Sequence, residues 1–102
     1  MIGRFVVVAA LAVGLRADAD EIDGKHLFLK GAVPACAICH TLKDAGAEGN
    51  VGPVLDELKP DAARVEKAIR DGIGAMPPYK TLSDEQVKAI AGYVARATGA
   101  AN

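Results

Sequence analysis

The feature that most restricts this chain is what it lacks for a core. Its 102 residues contain two Phe, two Tyr and no Trp, and much of its 51% hydrophobic content is alanine. A domain this small is marginal even with a well-filled interior, and one so poor in large side chains needs a staple, a metal or a bound group to fold. Only two Cys and two His are present, too few for a large metal cluster. With 12 basic and 13 acidic residues the net charge is -1, without the basic excess typical of nucleic-acid binders.

Part of the apolar content also lies outside the folded domain. Arg4 precedes the apolar run 5–15, FVVVAALAVGL, and Ala17-Asp18-Ala19 follows it. This is the layout of a secretory signal peptide, with small residues at -3 and -1 of a cut after Ala19. The run is shorter than the roughly 20 residues of a membrane span. Residues 1–19 are therefore expected to be a leader and 20–102 an exported domain. In a bacterium that destination is the periplasm, with no stable membrane span left after cleavage.

Residues 20–102 read as all-α. A first helix is expected over about Glu21 to Lys30, stopped by Gly31. Gly24 is an unfavourable helix residue, four positions before Phe28: either a tolerated surface glycine or a point where another helix comes close. A second helix begins at Asp61, a good N-cap, carries the stripe Val65, Ala68, Ile69, and ends at Gly72. The last begins with the S-x-x-Q capping box Ser83/Gln86 and repeats Val87, Ile90, Ala91, Val94 at helical spacing to about Ala97. A short turn over Val54 to Leu58 makes a fourth segment. No strand is expected. The Gly- and Pro-rich stretches Thr41–Pro53 and Ile73–Lys80 have no evident core of their own and would have to wrap something.

Cys36-Ala37-Ile38-Cys39-His40 supplies the something. C-x-x-C-H is the signature of covalent haem attachment: two thiols along one edge of the macrocycle, and an imidazole presented to its face. The alternatives fit less well. A thioredoxin-like dithiol wants a βαβ setting. Zinc needs further ligands, and His26 is the only other histidine. A Cys36–Cys39 disulfide would close a tiny, inefficient loop. For the sixth iron position Met76 is the candidate. It sits in Gly74-Ala75-Met76-Pro77-Pro78, where two prolines restrict the loop and no helical stripe surrounds it. His26, on an amphipathic helix, is the weaker candidate. An open sixth position would instead permit gas-binding or small haem-enzyme chemistry. With both axial positions filled by His40 and Met76, iron changes valence without admitting a substrate, and the function is one-electron transfer. Leu42, Val54, Leu55, Leu58, Val65, Ile69, Ile73 and Tyr79 are the expected haem lining.

Taken in order, Cys36-x-x-Cys39-His40, Gly52-Pro53-x-Leu55, Met76-Pro77 and a C-terminal helix with Tyr93 resemble the class I monohaem c-type cytochromes over residues 20–102. The resemblance implies a fold of three to four helices wrapped around one haem c, covalent through Cys36 and Cys39. It implies the terminal helices in contact, Gly24 and Phe28 meeting Gly92 and Tyr93. It implies that the Pro53 carbonyl accepts from His40 Nδ1–H, orienting the ring, and that the domain carries electrons and has no catalytic site of its own. The family's propionate-contacting Trp is absent, which leaves Tyr79, Lys80 or backbone N–H groups for that contact. The family's lysine ring is replaced by mixed charge, so the expected partner face is a small apolar patch of Ala37, Ile38, Ala75, Pro77 and Pro78. Residues 36–46, 55–61 and 72–77 further resemble the cytochrome subunit of bacterial sulfite dehydrogenases. That implies a molybdenum-containing subunit as electron donor, and a downstream cytochrome or oxidase as acceptor.

Overall fold

The computed structural model describes residues 22–100. The expected leader, residues 1–19, and the cut expected after Ala19 lie outside the described residues.

Asp23 begins the first helix, its carboxylate accepting from the N–H of Lys25 (3.0 Å) and His26 (3.4 Å). Helix α1, Gly24–His26, runs directly into a π-helical turn, Leu27–Gly31, closed by the Ala32 N–H donating to the Leu27 carbonyl at 3.0 Å. The sequence placed this element correctly but not its pitch. Leu27 and Phe28, the first two residues of that turn, are both buried in the core. Single-turn helices follow at Cys36–Cys39 (α2) and Leu55–Leu58 (α3). Helix α4, Ala62–Asp71, is capped by Asp61, and α5, Asp84–Thr98, by the complete Ser83/Gln86 capping box. The architecture is α-helical around a central cavity.

The chain does make strands, contrary to the sequence reading. Thr41–Leu42 (β1) and Ala47–Glu48 (β2) pair antiparallel around a 3-10 turn at Lys43–Ala45, with Gly46 at positive φ. Two-residue strands are too short to show a period-2 pattern. This loop also has a core contact: Leu42 is fully buried and Ala47 nearly so. Its tip is tied down where Tyr93 Oη donates to Asp44 at 2.6 Å and the Lys43 N–H donates to Asp56 at 2.9 Å.

Helix α5 is the central element. Val87, Ile90, Ala91, Val94 and Ala95 are all buried along it. α1 crosses it at Gly24, where an added Cβ would collide with the Ala89 carbonyl and lie 2.6 Å from Tyr93 Cβ. Phe28 meets Tyr93 edge to face, with centroids 6.2 Å apart. Gly92 is not part of the crossing, since a Cβ there would meet only the Arg96 side chain. The receiving position is Ala89, one turn nearer the start of α5. α4 is tied to the start of α5 by Arg70, whose guanidinium pairs with Asp84 and with Glu66. The Arg70 hydrogen bond holds the Asp84 carboxyl below its usual range. The pair spans the two ends of the loop that carries Met76.

Gly24→Ala tests the crossing by sign. On an uncrowded helix the change would stabilise by up to about 1 kcal/mol. Here overpacking is expected to lower the stability of the haem-loaded protein by about 1–3 kcal/mol, measured by thermal or denaturant unfolding.

Candidate functional site

The attachment segment is built from a single turn. α2 places Cys36 and Cys39 three residues apart, on one face. The chain then leaves the helix, with His40 extended and its N–H donating to the Cys36 carbonyl at 3.0 Å. The two thiols are not joined in a disulfide. Burial pushes the Cys36 thiol up to about 11. A thiol that stays protonated at neutral pH is a poor redox nucleophile. Among the described residues no group of three or more His, Cys, Asp or Glu is gathered for a metal ion.

His40 is held by the loop that follows. The N–H groups of Val51 (3.0 Å) and Gly52 (2.7 Å) both donate to the Cys39 carbonyl, folding residues 49–53 back over the imidazole. His40 Nδ1 lies 2.8 Å from the Pro53 carbonyl oxygen. A carbonyl only accepts, so Nδ1 carries the proton and Nε2 keeps its lone pair. A Cβ at Gly52 would stand 2.6 Å from His40 Cε1, so only glycine lets the backbone lie against the ring.

Met76 is held with comparable care. Ile73 and Met76 exchange two backbone hydrogen bonds, each 3.0 Å. The Tyr79 N–H donates to the Ile69 carbonyl at 2.8 Å, returning the loop to α4. Tyr79 Oη donates to the Pro34 carbonyl at 2.7 Å. That bond joins the methionine loop to the segment just before Cys36. Nothing local in the sequence announces it, because its partners are 45 positions apart.

Cys36, Cys39, His40, Pro53, Met76 and Tyr79 all line one apolar cavity of about 320 Å³. Leu55, Leu58, Val65, Ile69 and Ile73 line it as expected. Leu42 and Val54 do not: Leu42 is spent on the core beneath, and Val54 caps α3. Phe28, Ile90 and Val94 complete the floor from the terminal helices. Their periodicity assigned them to helix packing, and nothing in it marked a second role. Lys80 is elsewhere, its Nζ donating to the Arg70 carbonyl at 3.3 Å. Of the expected partner face, Ile38, Ala75, Pro77 and Pro78 are exposed, whereas Ala37 packs inward against the core. Val33, Val51 and Ile73 add further exposed apolar surface.

The donor set fits a haem c. Two thiols lie along one wall, a ring nitrogen is free, a thioether comes from a restrained loop, and an apolar slot lies among them. Zinc would leave that slot without a purpose.

The Tyr79–Pro34 bond supplies a pH test. Burial pushes the Tyr79 hydroxyl up to about 12. The ordinary tyrosine ionises near 10. Between those values the unfolded chain has lost the proton and the folded one has kept it, so stability falls as pH rises. Tyr79→Phe is expected to be less stable than the parent by about 0.5–1.5 kcal/mol at pH 8. The difference should close as pH rises from about 10 through 12, as measured by denaturant unfolding.

Comparison with known proteins agrees with this geometry. The family described as cytochrome c oxidase, cbb3-type, subunit III, matches residues 19–94. Cytochrome c-551 of Halorhodospira halochloris is 35% identical over 74 residues, covering 71% of this chain and 94% of that protein. The crystal structure of the c-type cytochrome SorU from Sinorhizobium meliloti superposes with a TM-score of 0.74 at 49% identity, covering 83% of this chain and 97% of that one. The chain belongs to this cytochrome c family, as a monohaem class I cytochrome c carrying one covalent haem.

Proposed function

We propose that this cytochrome holds its haem iron between His40 Nε2 and the Met76 thioether and carries single electrons in the periplasm. Its proposed donor is a molybdenum-containing sulfite dehydrogenase, and its acceptor a downstream cytochrome or oxidase. The observation that carries the reading is the meeting of Cys36, Cys39, His40 and Met76 on one apolar cavity. Haem c, so held, supplies a ferric/ferrous couple.

The protein's part is to keep the two axial donors in place. Pro53 fixes the imidazole tautomer, and the Pro53 bond makes Nε2 a stronger donor. The Ile73–Met76 bonds and the Tyr79–Pro34 bond hold a weak thioether where a looser chain would let water in. Methionine ligation raises the potential relative to bis-histidine, which suits an acceptor of electrons from a dehydrogenase. The exposed Ile38, Ala75, Pro77 and Pro78 give that donor a small apolar contact, of the size used in brief electron-transfer encounters. The donor's identity is supported by residues 36–46, 55–61 and 72–77, which resemble the sulfite dehydrogenase cytochrome subunit.

The test uses the haem-loaded protein, with the molybdenum subunit of a bacterial sulfite dehydrogenase and sulfite. The ferric parent should show a weak long-wavelength methionine-to-iron band, bind no CO when reduced at neutral pH, and be reduced by the sulfite-charged subunit. Met76→Ala should lose the band, bind CO and accept electrons roughly tenfold more slowly or worse. Rapid CO binding by the parent contradicts the ligation. A parent left oxidised by the charged subunit contradicts the donor.

A further inference from the structure

The hairpin that follows His40 is fixed at its far end. Leu42 is fully buried, Asp44 accepts from Tyr93 Oη at 2.6 Å, and the Lys43 N–H donates to Asp56 at 2.9 Å. Its open end is held differently. Thr41 pairs across with Glu48, and the next residue, Gly49, begins the segment that folds back over the imidazole. Thr41 Oγ1 lies 2.8 Å from the Gly49 carbonyl oxygen. A carbonyl only accepts, so the hydroxyl donates.

This bond sits where the returning segment touches the attachment turn. The Gly49 N–H donates to the His40 carbonyl at 3.2 Å, so the peptide groups on both sides of Gly49 are tied to consecutive residues, His40 and Thr41. A Cβ at Gly49 would stand 2.5 Å from the Ile38 carbonyl oxygen and 2.6 Å from the His40 backbone nitrogen, which leaves the backbone no slack there. Further along, the Val51 and Gly52 N–H groups share one acceptor, the Cys39 carbonyl. Gly52 then lies against the imidazole, and the Pro53 carbonyl reaches His40 Nδ1.

We infer that Thr41 is a positioning residue for the imidazole. Its hydroxyl clasps the entry of segment 49–53, and through that segment it keeps the Pro53 carbonyl on His40 Nδ1. This assignment rests on His40 being an axial ligand of the haem, and adds a residue that lies outside the five-residue attachment motif. A ring whose Nδ1–H is firmly bonded is a stronger donor through Nε2, and a stronger donor favours the more highly charged ferric iron. Loosening the clasp therefore frees Nδ1–H more often and makes the iron easier to reduce.

The test uses the haem-loaded protein and two readings besides electron-transfer activity. Solvent exchange of the His40 Nδ1–H is followed by NMR in the ferrous form, and the midpoint potential is measured by potentiometry. The parent is compared with Thr41→Val, which keeps the shape and removes the donor, and with Thr41→Ser, which keeps the donor. Thr98→Val is the structural control: it removes a buried hydroxyl that donates to the Val94 carbonyl at 2.9 Å, on α5. In Thr41→Val the exchange should be about two- to tenfold faster and the potential more positive. Thr41→Ser and Thr98→Val should stay near the parent in both readings. Unchanged exchange or an unmoved potential in Thr41→Val overturns the inference, as does an equal acceleration in Thr98→Val. Should Thr41→Val fail to accumulate, Thr41→Ala decides by the same two readings. His40 ring signals that the haem ring current leaves undisplaced in the parent refute the ligation itself, a failure seen before any variant is compared.

Discussion

The helices and loops of this protein are arranged around a space that the chain does not fill. The cavity of about 320 Å³ is bounded by Phe28, Ile90 and Val94 below and by the two irregular loops above. Closed and empty, a void of that size would cost on the order of 8 kcal/mol at about 24 cal/mol per Å³. That is comparable to the whole stability of a small domain. The real cavity is open at its rim, so the alternative to occupation is water against apolar walls, which is also unfavourable. A covalent haem removes both penalties. Its attachment through Cys36 and Cys39 keeps the plate from leaving, and the scarcity of large side chains ceases to be a defect.

Function follows from the same constraint. The loops that cover the cavity have little core of their own, so they are fixed by a few polar ties. His40 is turned by Pro53, and the residue before Pro53 must be small because the imidazole lies on it. The methionine loop is fastened at three levels: to itself at Ile73–Met76, to α4 through the Tyr79 N–H, and to the attachment segment through Tyr79 Oη. Arg70 and Asp84 close its base. As the proposed axial ligand, Met76 held this way would keep its place in both valences, which is what rapid electron exchange requires.

The parts legible in the sequence were those encoded locally. The attachment motif is five consecutive residues. Asp61 is a single N-cap residue and Ser83/Gln86 a four-residue capping box, and both helices start where they indicate. Gly24 was legible as an anomaly, a poor helix residue where a good one was available, although its neighbour proved to be Ala89 rather than Gly92. Harder to read were features set by distant partners. The π-helical pitch at Leu27–Gly31 serves a core assembled from α5. The Thr41–Glu48 hairpin is too short to carry a pattern, and Leu42 is buried by packing that the loop's own composition hides.

The central claim is that the bound haem is part of the core, and it is tested most directly by preventing attachment. The Cys36→Ala/Cys39→Ala chain, prepared without haem, should retain some helix by far-ultraviolet circular dichroism. Its aromatic near-ultraviolet signal should be lost, its NMR amide dispersion should collapse, and heating should give no cooperative transition. A cooperative unfolding transition with well-dispersed amides in that chain would contradict the account, since the polypeptide would then fold without the group it was taken to need.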